Sequence, residues 1–171
     1  MKKNKTIIGI CSLLILLLVG CTNCPTYQDV YQKFLDTKSA TGENVFYAYV
    51  KIQGCEQPML FVSNHCYEVL TEKGKCLFSS CAEIYKYQGR KVKYVARISE
   101  EQKGVYCAYN LAVDQQGFLY DVKDAHDVSV WAMKRGKLVL IKHYNDSTRN
   151  SELQDIHSEY RFAQGISFLP Q

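Results

Sequence analysis

The stretch AEIYKYQGRKVKYVARIS, residues 82–99, holds two runs of alternating residues separated by a glycine. Alternation with a period of two is the pattern of a half-buried strand, and a glycine at the break supplies the positive φ that tight hairpin turns need. Pairing the runs across Gln88-Gly89 sets Tyr85 opposite Val92 and Glu83 opposite Tyr94. Tyr85, Tyr87, Val92, Tyr94, Ala96 and Ile98 then share one face, and Lys86, Lys91 and Lys93 share the other. An antiparallel sheet packed on one side and wet on the other has this sidedness.

The same grammar extends in both directions. Downstream, Gln102-Lys103-Gly104 precedes VYCAYNLAV, whose Val105, Cys107, Tyr109, Leu111 and Val113 fall on one face. Asp114-Gln115-Gln116-Gly117 leads into FLYDV, and Arg135-Gly136 splits VSVWAM from KLVLIKHY. Upstream, Phe46, Ala48, Val50 and Ile52 alternate with Tyr47, Tyr49 and Lys51, and an apolar run follows at 59–62. The fold class expected is mainly β: an antiparallel meander of about eight strands. A meander of that size must close into a barrel or fold into a sandwich to protect its edges. A short helix is expected after Pro25, where Tyr27, Val30, Tyr31, Phe34 and Leu35 recur at helical intervals and make a face for packing on the domain. A second short helix is expected over 151–160, capped by Asn150 or Ser151, with a last strand over 165–169. Only three prolines occur and no linker tract interrupts the chain, so residues 43–171 read as one domain.

The first residues decide where that domain sits. Lys2, Lys3 and Lys5 precede an aliphatic run over 7–19, which is shorter than the roughly 20 residues a permanent span needs and reads as a secretory signal. Leu18-Val19-Gly20-Cys21 resembles the lipobox of bacterial lipoproteins, a resemblance confined to the first 21 residues. It implies cleavage after Gly20, with residues 1–20 the signal peptide. Cys21 would then carry a thioether-linked diacylglycerol and an N-acyl chain, and 21–42 would form the anchor and short helix. Several acyl chains make a stable anchor, each buried CH₂ contributing about 0.8 kcal/mol. Neither Thr22 nor Asn23 is acidic, so in a Gram-negative cell the resemblance implies the outer membrane, with the domain facing the periplasm.

Cleavage removes three of 21 basic residues and leaves 18 against 17 acidic ones. A near-neutral domain argues against nucleic acid as a partner. Of eight cysteines, Cys11 leaves with the signal and Cys21 is lipidated. Cys24, Cys55, Cys66, Cys76, Cys81 and Cys107 remain, an even set that in an exported chain points to disulfide staples. A turn at Lys73-Gly74 would set Cys66 opposite Cys81. Zinc is disfavoured, because the C-x₄-C of Cys76 and Cys81 has no second pair at ligand spacing.

No chemistry-bearing motif stands out: G-x-S-x-G, H-E-x-x-H and the phosphate-binding G-x-x-x-x-G-K-[ST] are all absent. Asp121, Asp124, His126 and Asp127 cluster in YDVKDAHD without the spacing of a calcium loop. Thirteen tyrosines are an excess that serves packing and binding surfaces alike. Tyr85, Tyr87, Tyr94 and Tyr109 are the candidate aromatic binding surface. The expectation is a non-enzymatic, lipid-anchored binding or structural module without catalytic residues, metal or cofactor. Its partner would be an envelope protein or a small apolar ligand. Two alternatives remain: a thiol-redox or metal-handling protein using Cys66, Cys76 and Cys81 with His65, and an inhibitor of an envelope-directed enzyme.

Overall fold

The computed structural model describes residues 25–98, 111–124, 127–144 and 163–171. Thr26 has an extended backbone and caps α1, Tyr27–Ser39, by a reciprocal pair with Asp29. The Asp29 amide donates to Thr26 Oγ1 at 3.2 Å, and the Thr26 amide donates to Asp29 Oδ2 at 2.8 Å. A capping box of this kind satisfies amides that the helix start leaves without partners. The helix outruns the apolar periodicity by a turn and ends before Gly42, at φ 82.

Twelve strands follow among the described residues: β1 Phe46–Val50, β2 Met59–Ser63, β3 Tyr67–Thr71, β4 Gly74–Phe78, β5 Ala82–Gln88, β6 Lys91–Ile98, β7 Leu111–Val113, β8 Leu119–Asp124, β9 Asp127–Lys134, β10 Lys137–Tyr144, β11 Gln164–Gly165 and β12 Leu169–Pro170. All their pairings are antiparallel. Sheet one has the order β12-β1-β2-β5-β6 and sheet two the order β10-β9-β8-β7-β11, while β3 and β4 form a separate hairpin. Of the two expected closures, the barrel is not formed among the described residues, where each sheet keeps two edges. The sheets instead face one another across a core that contains Ile52, Phe61 and Ile84 from the sheet-one side and Leu119 and Met133 from sheet two. The expected helix over 151–160 lies outside the described residues.

Three layers result. Helix α1 covers the outer face of sheet one, where Tyr31, Leu35, Leu60, Val62 and Tyr85 form a second core. Strand β2 is therefore buried at all five positions, Met59 and Phe61 serving one core and Leu60 and Val62 the other. A strand covered on both faces loses the alternation of a half-buried one. The outer face of sheet two carries a third buried cluster of Ala112, Tyr120, Val122, Val128, Val130 and Tyr144.

The β5–β6 hairpin departs from the sequence register. Its turn is Gly89-Arg90, with φ 59 and φ 63, between the pair Gln88 and Lys91. Two successive left-handed residues are what a type I′ hairpin requires. A bulge then changes the register: Tyr85 pairs with Tyr94 but Ile84 pairs with Ala96, leaving Val95 as the extra residue. The bulge turns Ile98 away from the tyrosines into the core between the sheets, where it lies beside Ala82 and Ile84. Arg135-Gly136 forms the other hairpin turn where the sequence placed it, with φ 50 and φ 77 between the pair Lys134 and Lys137.

The last residues stitch the sheets together. Gln164 and Gly165 pair with β7, the Ile166 amide donates to Leu111 O at 2.9 Å, and the Phe168 amide donates to Leu77 O at 2.8 Å. Leu169 and Pro170 then pair with β1 in the other sheet. Ile166 and Phe168 are buried in the core between the sheets. A second stitch crosses the end of the sandwich: the Gln53 amide donates to Gly117 O at 2.7 Å, and Gln53 O accepts from the Met133 amide at 3.0 Å. No room is left for side chains here. A Cβ on Gly117 would lie 2.7 Å from Gln53 N, and one on Gly54 would collide with the Met133 carbonyl.

Candidate functional site

The tyrosines singled out as a binding surface are mostly packing residues. Tyr85 is only 7% exposed; its ring lies 4.7 Å from Phe34 of α1 and 5.7 Å from Tyr94. Tyr87 is half-buried in the same layer and donates to Pro25 O at 3.5 Å, while Tyr94 is exposed at the edge strand β6. Tyr109 lies outside the described residues. A run of rings from Tyr27 through Tyr31 and Tyr49 to Tyr47 continues the layer, with centroids 5.6 to 6.0 Å apart. Tyr31 is fully buried, donates to Pro58 O at 3.2 Å, and has its phenol pKa pushed up to about 12 by burial.

Lys38 closes one end of this layer. Its ammonium lies 2.7 Å from Glu83 and 5.5 Å above the Tyr85 ring. Burial opposes ionisation of both partners. Their mutual hydrogen bond, with help from the Tyr85 hydroxyl, outweighs it, so Glu83 stays below its usual pKa and Lys38 above. Lys38 and Glu83 join α1 to β5 and line a small pocket of about 80 Å³ with Arg97.

The disulfide expectation fails for the residues described. Cys55, Cys66, Cys76 and Cys81 are free thiols, while Cys24 and Cys107 lie outside the described residues. The Cys66 and Cys81 pairing is lost because the turn is Glu72-Lys73, with Thr71 opposite Gly74 rather than the register that would face the two cysteines. Burial and the nearby Cys81 push the Cys66 thiol up to about 12. A thiol held neutral is a poor nucleophile, which weighs against the redox alternative built on it. His65 is exposed, and its backbone is held by the buried pair of Ser63 and Ser79, whose hydroxyls lie 2.8 Å apart.

One constellation was not visible in the sequence. Ser129 Oγ lies 3.0 Å from His143 Nδ1, and Asp127 Oδ1 lies 3.9 Å from the same nitrogen. A catalytic triad needs serine and carboxylate on opposite nitrogens of the ring, so that the imidazole can relay between them. Here both address Nδ1, and the arrangement is a structural contact. Asp121 is buried opposite Ser129, Asp127 is shared with Lys123 at 3.9 Å, and His126 lies outside the described residues. Among the described residues no three His, Cys, Asp or Glu side chains gather as metal ligands.

What remains is a groove of about 720 Å³ at the end of the sandwich where the second stitch lies. Its walls are the β1 end and the loop after it, the 114–117 turn, and the chain crossing at 164–169. Gln53, Gln115, Gln116 and Gln164 bring amides to it, Ser167 a hydroxyl, and Tyr49 and Leu169 exposed apolar surface, at 38% and 55%. The turn wall is rigid, because Asp114 Oδ1 accepts from the Gln116 and Phe118 amides, both at 2.9 Å, and Oδ2 accepts from Tyr120 at 3.1 Å. Strand β12 pairs only with Phe46 and Tyr47, so Ala48, Tyr49 and Val50 face the groove with no strand partner on that edge among the described residues. The glutamines belong to three remote segments and form no motif. The single clue in the sequence was a glycine-closed Asp-Gln-Gln-Gly turn.

No protein-family model, curated protein or solved structure matches this chain.

Proposed function

We propose that this chain is a lipid-anchored, non-enzymatic envelope protein that captures an extended segment of another protein in the groove along the β1 edge. The observation that carries the reading is the groove itself. It combines a stretch of strand unpaired among the described residues with glutamine amides, Lys51 and two exposed apolar side chains. Strand edges bind extended peptides through main-chain hydrogen bonds, and side-chain pockets then choose among them. Glutamine amides both donate and accept, which suits peptide groups and carries no preference for charge. The lipobox resemblance at Cys21 supports a tether to the outer membrane and a periplasmic setting.

A photoreactive benzophenone residue placed at Gln116 of the full-length protein in intact cells tests this. The expected result is one discrete crosslinked adduct, lost when Ser167→Trp fills the groove. A control probe at Lys33, on the exposed side of α1, should give no such adduct. Identical adducts from both positions, or none from Gln116, would end the proposal.

A further inference from the structure

Lysines face lysines at two hairpin tips. In the β5–β6 hairpin Lys86 is directly opposite Lys93, and in the β9–β10 hairpin Lys134 is directly opposite Lys137. Like charges at directly opposed positions destabilise a sheet. Arg90 and Arg135 occupy the positive-φ positions of the two turns, and Lys91 lies beside the first. Folding joins the two tips, for the Lys86 ammonium donates to Gly136 O at 2.9 Å. That contact spans 50 residues of sequence and makes one basic surface, with Arg90, Lys91, Lys93, Lys134, Arg135 and Lys137 all exposed. Asp29 and Asp114 are engaged in the helix cap and the 114–117 turn.

The chain enters the fold at this same end. Tyr87, next to the β5–β6 tip, donates to Pro25 O, and Tyr31 donates to Pro58 O in the loop between β1 and β2. Cys21 is four residues before Pro25, so an extended tether reaches about 14 Å at most. A short tether that starts beside a basic surface brings that surface to whatever the tether is fixed in.

We propose that the two hairpin tips dock on the anionic lipid headgroups of the membrane that holds the Cys21 anchor, fixing the orientation of the domain. The inference rests on the lipidation reading and adds a second, electrostatic attachment to it. Stable peripheral attachment commonly combines an acyl chain with a basic patch, and each basic residue near an anionic surface strengthens binding about five-fold. Docked lipids would relieve the opposed lysine pairs that the fold otherwise tolerates. The groove lies at the same end but toward the β11 and β12 edges, away from the tips on β6 and β10. Docking would therefore hold the groove close to the membrane without placing it in the headgroup layer.

The test is amine-acylation footprinting of the full protein purified from membranes and reconstituted in vesicles. Phosphatidylcholine vesicles are compared with vesicles that also contain phosphatidylglycerol, with flotation recorded for each. In anionic vesicles at low salt, Lys91, Lys93, Lys134 and Lys137 should be acylated about five-fold more slowly, whereas Lys142, at the far end of β10, should be unchanged. Concentrated salt should abolish the protection, and K91Q/K93Q/K137Q, all at exposed positions, should remove it. Flotation with equal acylation in both vesicle types would overturn docking and leave the anchor standing. Flotation and protection on anionic vesicles alone would remove the anchor, and with it the proposal that the tips orient an anchored domain. Protection by inorganic phosphate without vesicles would overturn the proposal in favour of a free-anion site.

Discussion

Tyr31 and Tyr49 stack with their ring centroids 5.9 Å apart, yet they belong to regions with different uses. Tyr31 lies on the face of α1 that packs on sheet one, with no exposed surface, its hydroxyl bonded to backbone carbonyls. Tyr49, one ring further on, is 38% exposed and lines the groove. The same side chain fills the covered region and equips the open one, so what decides its use is whether the ring is enclosed in the seam between α1 and sheet one. An abundance of tyrosine on strands therefore does not mark a binding surface. Of the aromatic surface expected from the sequence, Tyr85 and Tyr87 belong to the seam between helix and sheet, and the site candidate is the uncovered end beyond it.

Truncation in the covered region should have the largest effect and sharpen the contrast most. Tyr31→Ala should cost about 3–5 kcal/mol in denaturant titrations, as for other large buried rings. Tyr94→Ala, at an exposed edge position, should stay within about 0.5 kcal/mol. Equal losses at the two positions would break the distinction between covered and open tyrosines.

The open region should be sensitive instead to backbone crowding. Gly117→Ala combines φ 84 with a contact at 2.7 Å, and should cost more than about 1 kcal/mol and abolish the Gln116 crosslink. Gly42→Ala has a similar φ of 82 but nothing within 4 Å. It should cost less than Gly117→Ala and leave the crosslink intact.

The smallest effect is on pH dependence. Glu83 titrates below its unfolded value of 4.5, so its contribution to stability is present above that pH and is lost as pH falls through the lower folded value. Glu83→Gln should flatten the acid limb of the stability profile. Tyr31 has the opposite sense. Its pKa rises from 10.0 to about 12, so its contribution is present below pH 10 and is lost as pH climbs toward 12. Tyr31→Phe should flatten that alkaline limb and leave the acid one unchanged.

The Arg135-Gly136 hairpin, the helix after Pro25 and the strand alternation of β1 were legible because each is written within a few residues: Arg135 with Gly136, Tyr27 to Leu35 at helical intervals, Phe46 to Ile52 by twos. The division into two sheets was not, because it depends on pairings such as Phe46 with Pro170 that the local pattern does not encode. Nor was the bulge at Val95, since one extra residue in an apolar run leaves the composition unchanged while it redirects Ile98 to the other core. The groove escaped for a related reason, its glutamines being neutral residues on three separate segments. The basic surface was half visible in the run Arg90 to Lys93. Its other half, Lys134 to Lys137, joins it only through the fold.

Both proposals at the uncovered end presuppose a chain held to a membrane at Cys21, and the intact mass of protein extracted from membranes tests that directly. The account predicts a polypeptide that begins at Cys21 and carries the added mass of a diacylglyceryl group and an acyl chain. A chain that begins at Met1, or an unmodified Cys21, would contradict it.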